Sequence, residues 1–125
     1  MQNAKCKYDI YERTFDFACR IVRLHRAAAR SATARPLLNQ VLRSGTGIGA
    51  NLEEAEAGQS TADFIAKMRI ALKEARETVY WLRLIGATEI IKASRIEPLT
   101  QEAREIVAIL TTIIRNTNTN QARSA

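Results

Sequence analysis

Glycine and proline are scarce in this chain, at five and two among 125 residues. That scarcity excludes collagen-like and low-complexity classes, and it suits long helices, whose interiors both residues disfavour. Aromatic residues make up only 6%. No uncharged apolar run reaches the roughly 18 residues that a membrane-spanning helix needs, so no membrane partner is expected. The stretch from Met1 to Lys7 is polar, and the expectation is a cytoplasmic chain without a secretory signal. The two cysteines, Cys6 and Cys19, form neither a zinc spacing nor a disulfide framework. A reducing cytoplasm would keep them as thiols. The single histidine, His25, is not part of any Glu-x-x-His step. This excludes the di-iron and di-manganese carboxylate bundles, and no metal or cofactor is expected.

What the chain has in quantity is small and aliphatic residues, with 46% hydrophobic overall. The length fits one domain able to bury a core without staples. Apolar residues recur at three and four, the helical period, in four segments. The first carries two stripes. Tyr8, Tyr11, Phe15, Ala18, Val22, His25 and Ala29 form the expected core seam, and Phe17, Ile21, Leu24 and Ala28 lie about 130° around the helix. Asp9 and Glu12 resemble a capping start, and Ser31 marks the expected end. Pro36 opens the second helix, whose seam is Leu38, Val41, Gly45, Ile48, Leu52 and Ala55 before a stop at Gly58. Ser60 caps the third helix, with the seam Met68, Leu72, Ala75, Val79, Leu82 and Gly86. The fourth is expected to begin near Ile96 to Pro98, with the seam Leu99, Ala103, Ile106, Leu110 and Ile113.

No segment reads as a strand. The expectation is an all-α, antiparallel up-down-up-down four-helix bundle over residues 1–115, with residues 116–125 a disordered polar tail.

A bundle needs one apolar stripe per helix. The surplus stripe on the first helix, Phe17, Ile21 and Leu24, predicts a subunit interface. So does a patch opposite the seam of the third helix, Ile70, Glu77, Trp81 and Leu84.

Three glycines, Gly45, Gly47 and Gly49, superficially resemble a phosphate loop. No strand precedes them, and the helical seam runs straight through. They read as packing glycines that let two helices approach. The carboxylates Glu53, Glu54, Glu56, Glu74 and Glu77 read as partners for Arg43, Arg69, Lys73 and Arg76 rather than as an acid–base pair. Arg43, Asn51 and Glu54 are expected to form a structural polar network that fixes register. His25 reads as a hydrogen-bonded packing residue, because no nucleophile has an evident reason to lie beside it. The chain therefore reads as non-enzymatic.

The net charge of +6 is unevenly spread. Residues 1–45 hold nine basic and three acidic side chains, and the rest hold ten of each. Arg13, Arg20, Arg23, Arg26 and Arg30 project from the face of the first helix that the two stripes leave free, and Arg35 follows. Arginine suits phosphate contact. These six are the candidate nucleic-acid contacts, to RNA or DNA, with mainly electrostatic affinity. A protein-interaction scaffold is the alternative.

Three segments carry a family resemblance: Gln40-Val41-Leu42-Arg43-Ser44-Gly45, then Ile48-x-x-Asn51-Leu52-x-Glu54, then Lys73-Glu74-Ala75-x-Glu77-Thr78-x-Tyr80-Trp81-Leu82. With them, residues 8 to 115 resemble the small four-helix-bundle proteins encoded in intervening sequences of bacterial large-subunit ribosomal RNA genes. Stand-alone relatives share the pattern, as does the accessory variability protein of diversity-generating retroelements. The resemblance implies an antiparallel bundle assembled as a ring-like homopentamer. It also implies a basic retroelement relative that binds nucleic acid and its reverse transcriptase, and stand-alone members without an established activity. The family often has glycine after the glutamate and a small residue before it. Here Ala55 and Glu53 stand in those places.

Overall fold

The computed structural model describes the backbone of residues 2–28 and 31–124, and the side chains of residues 10–28 and 31–123. Four helices account for nearly all of it: α1 (Gln2–Ala28), α2 (Ala34–Glu56), α3 (Thr61–Ala87) and α4 (Ala93–Ser124). They form an all-α four-helix bundle in which short connections turn each helix back along its predecessor. α2 packs closely on α1 and α3, and α3 on α4, while α4 closes only lightly on α1.

The core follows the helical period. α2 buries every member of its expected seam: Leu38, Val41, Gly45, Ile48, Leu52 and Ala55. α3 is rotated slightly from expectation. Met68, Ala75 and Leu82 are buried, joined by Ile65, Ala71, Thr78 and Ile85, while Leu72 and Val79 are half-buried. On α4, Leu99, Ala103, Ile106 and Leu110 are buried as expected, and Ile114 takes the last place ahead of Ile113.

On α1 the two stripes exchange roles. Phe17 and Ile21, at 1% and 0% exposure, and Leu24 lie in the chain's own core with Ile10 and Thr14. They leave no surface for a subunit interface, and that assignment is corrected. Of the stripe expected inside, Phe15 is 66% and Val22 38% exposed and Tyr11, Ala18 and His25 are half-buried, while Tyr8 and Ala29 lie outside the described side chains. The reason is chemical: the buried stripe is apolar apart from Thr14, whose hydroxyl donates to the Ile10 carbonyl at 2.8 Å. The outer stripe includes Tyr11 and His25, which need polar partners when buried.

The ends also differ. α1 is helical from Gln2, so Asp9 does not start it. α2 begins at Ala34, whose N–H donates to Ser31 Oγ at 3.0 Å. Ser60 caps α3 as expected, accepting from the Asp63 N–H at 3.1 Å. α3 ends in a left-handed residue that is not a glycine: Glu89 has φ 60°. The Glu89 N–H donates to the Gly86 carbonyl and the Ile90 N–H to the Ile85 carbonyl, each at 3.2 Å, the paired bonds of a Schellman stop. α4 starts at Ala93, so Pro98 lies inside it, where its missing N–H removes one bond of the helical ladder. α4 also continues through the segment expected as a disordered tail. There the Thr117 hydroxyl donates to the Ile113 carbonyl at 2.8 Å and that of Thr119 to the Arg115 carbonyl at 3.0 Å.

The glycines of α2 pack as expected. A Cβ on Gly45 would stand 3.0 Å from the Ile21 side chain, and one on Gly49 would stand 3.5 Å from the Thr14 backbone. One face of α2 thus lies close against α1.

Candidate nucleic-acid interface

α1 presents its arginines on the arc left outside the core. Arg23 and Arg26 are exposed, and Arg20 is half-buried. Arg35 is exposed at the start of α2. None of these four has an acidic partner among the described residues. Arg30 lies outside the described residues.

Arg13 behaves differently, which corrects its assignment as a phosphate contact. Its Nε and Nη2 donate to Glu102 at 3.0 and 2.7 Å, and Nη2 also donates to Glu105 at 3.0 Å. The bonds to Glu102 hold the guanidinium charged beyond its ordinary range, with burial opposing and Glu105 assisting. The Glu105 carboxyl is in turn lowered, first by Arg13 and then by Gln101. Arg13 is the polar clamp of the lightly packed α1–α4 seam.

Arg43, Asn51 and Glu54 do not form one network. Arg43 bonds Glu74 at 3.1 Å and also Glu77. Asn51 donates to the Gly47 carbonyl at 2.8 Å. Glu54 accepts from Lys67 at 2.8 Å. Arg43 and Glu54 both reach α3, but eleven residues set them about 16.5 Å apart along α2, and Asn51 bonds within its own helix. The buried polar link between α2 and α3 is one the sequence reading missed. The Ser44 and Thr78 hydroxyls, both fully buried, meet at 2.8 Å. Thr78 Oγ1 also lies 2.8 Å from the Glu74 carbonyl, so Thr78 donates to the carbonyl and accepts from Ser44.

On the α1–α2 face, His25 Nε2 meets Asn39 Oδ1 at 2.7 Å, and the Tyr11 hydroxyl donates to Glu56 at 2.7 Å. Burial, then Glu56, pushes the Tyr11 phenol well above its ordinary range. On the third-helix patch, Ile70 is 42% exposed, while Leu84 and Trp81 are half-buried. Trp81 stacks edge-on against Tyr80, with ring centroids 5.1 Å apart. Its indole N–H is buried and finds no acceptor among the described residues. Glu77 belongs to the Arg43 cluster. Cys19 is a free, half-buried thiol. Among the described residues no helix is long and apolar enough to cross a membrane.

This geometry supplies a helix face of free guanidinium groups, beside apolar side chains that stay partly in water. Comparison with known proteins gives it a family. The model of the 23S rRNA-intervening sequence protein matches residues 6–112. No curated protein matches the chain. A crystal structure of a protein of unknown function from the S23 ribosomal protein family of Bacteroides thetaiotaomicron is 43% identical, with a TM-score of 0.83, covering 88% of this chain and 98% of that one. The shared helices, and a family match spanning most of the chain, make this protein a member of the 23S rRNA-intervening sequence protein family.

Proposed function

We propose that this protein is a non-enzymatic cytoplasmic homo-oligomer, a pentamer by its family resemblance, that binds nucleic-acid backbones through the arginines of α1. The observation that carries the reading is the set Arg20, Arg23, Arg26 and Arg35, which have no acidic partner among the described residues while Arg13 and Arg43 are neutralised within the bundle. Leaving cations unpaired on one face costs self-repulsion, and an anionic partner relieves it. Repetition around a ring would multiply the net charge of +6 per chain. The subunit contacts in this reading come from Ile70, Trp81 and Leu84, and from the outward stripe with Phe15 and Val22.

The test is binding of a random-sequence RNA measured across a salt series. Wild type should lose affinity steeply, with a log–log slope of about −0.7 per phosphate contacted on a single strand. Replacing Arg20, Arg23 and Arg26 together with glutamine should flatten that slope. Unchanged binding by the triple variant would remove α1 as the interface. A protein-interaction scaffold is the second reading, favoured by Phe15, Val22, Ile70 and Tyr80 standing in solvent.

A further inference from the structure

Four acids of α3 and α4 are committed away from the groove between those two helices. Glu74 and Glu77 reach to Arg43 on α2, and Glu102 and Glu105 reach to Arg13 on α1. The arginines left over line the outer α3–α4 groove. Arg76, Arg83 and Arg104 are exposed and have no acidic partner among the described residues. Two open hollows run along it. One, of about 260 Å³, has Leu82 and Ile96 in its lining with Arg83 and Arg104. The other, of about 180 Å³, is lined by Arg76, Val79, Arg104 and Val107. Arg104 borders both, so the groove has basic rims and an aliphatic floor. Its one acid, Glu97, lies in the larger hollow.

The spacing of the rim says what fits. Arg69, Arg76 and Arg83 recur every seven residues, so on α3 they form one straight row with a step of about 10.5 Å. Heptad-spaced charges beside an apolar strip are the flanking arrangement of helix pairing. A groove with i, i+7 anchors takes an amphipathic helix. A phosphate backbone has no use for the Val79 and Val107 floor, and no aromatic ring lines either hollow for bases to stack on. A second copy of this chain matches poorly. Its clustered acids, Glu53, Glu54 and Glu56, crowd one helix end without heptad spacing, and two of them already hold Lys67 and Tyr11.

We infer that the α3–α4 groove docks an acidic amphipathic helix of another protein. Its apolar stripe seats on Val79 and Val107, and its carboxylates meet Arg76, Arg83 and Arg104. The site shares no residue with the α1 arginine face, so either can fail alone.

The experiment uses the full chain and a dye-labelled synthetic helix of about three heptads, with leucine in the seam and glutamate on both flanks. A scrambled peptide of the same composition and a single-stranded oligonucleotide serve as comparisons, with anisotropy as the readout. The amphipathic peptide should bind, and the scrambled one should bind about tenfold more weakly or worse. Arg76→Glu with Arg104→Glu should weaken binding by about tenfold or more without lowering the thermal midpoint, since neither arginine holds an ion pair. Val107→Thr, nearly the same shape, should weaken the peptide but not the oligonucleotide. Replacing Arg20, Arg23 and Arg26 with glutamine should leave peptide affinity unchanged. Equal binding of the scrambled peptide overturns the proposal, as does no binding at all. Displacement of the peptide by the oligonucleotide, with the same dependence on Arg76 and Arg104, assigns the groove to nucleic acid. A lower solution mass for the Arg76→Glu, Arg104→Glu variant assigns it to a second copy.

Discussion

Gly45 and Gly49 lie one turn apart on α2, yet they meet α1 differently. A methyl group on Gly45 would press on Ile21, which is itself fully buried. Overpacking of that kind costs about 1–3 kcal/mol, more than the roughly 1 kcal/mol that alanine returns to the helix. Gly45→Ala should therefore lower stability by about 1 kcal/mol in denaturant titration, within those two ranges. Gly49→Ala meets Thr14 only at ordinary contact distance and should raise stability by up to about 1 kcal/mol. Tyr11 carries the clearest pH dependence. Its raised phenol pKa means that its stabilising contribution is complete below pH 10, the ordinary tyrosine value, and is lost as the pH climbs above it. In an absorbance titration the Tyr11 phenol should ionise above the ordinary tyrosine range. Tyr11→Phe should flatten the alkaline fall in stability. The packing glycines were legible, because spacing alone places Gly45 and Gly49 on one face of α2. The Ser44–Thr78 bond was not, because two small hydroxyls leave no period of their own.

Each helix exists because of its apolar period, which is why the bundle and the α2 core could be read from sequence. Rotation about the helix axis was less legible. α1 carries two stripes of similar width, and choosing between them turns on the polar needs of Tyr11 and His25 rather than on spacing. The helical continuation of α4 beyond Arg115 was missed because asparagine and threonine disfavour helix interiors; there the Thr117 and Thr119 hydroxyls bond to carbonyls one turn earlier. The end of α3 gives a test at this scale. Glu89 takes a left-handed conformation that costs a side-chain-bearing residue about 1–2 kcal/mol. Glu89→Gly should raise the thermal midpoint and stability by about 1 kcal/mol. A loss of stability would mean that the Schellman stop is not the working end of α3.

At the scale of the whole molecule, charge and apolar surface are divided among faces. Internal ion pairs absorb Glu74, Glu77, Glu102 and Glu105 of α3 and α4, and Arg20, Arg23 and Arg26 of α1 and the arginines of the α3–α4 groove are left outside. The sequence showed the first group through the charge imbalance of residues 1–45. It concealed the second, because residues 46–125 sum to zero and only the fold shows which charges pair. The half-buried Trp81, on the same face of α3 as exposed Ile70, gives the oligomer proposal its handle: Trp81→Ala should lower the mass in solution, and an unchanged mass would move the interface elsewhere. The most direct test of the central claim is light scattering on the wild-type chain, alone and with random-sequence RNA, at low and moderate salt. The account predicts a mass near five subunits that rises with RNA and loses that rise as salt increases. A monomer, or an oligomer whose mass never changes with RNA, would contradict it.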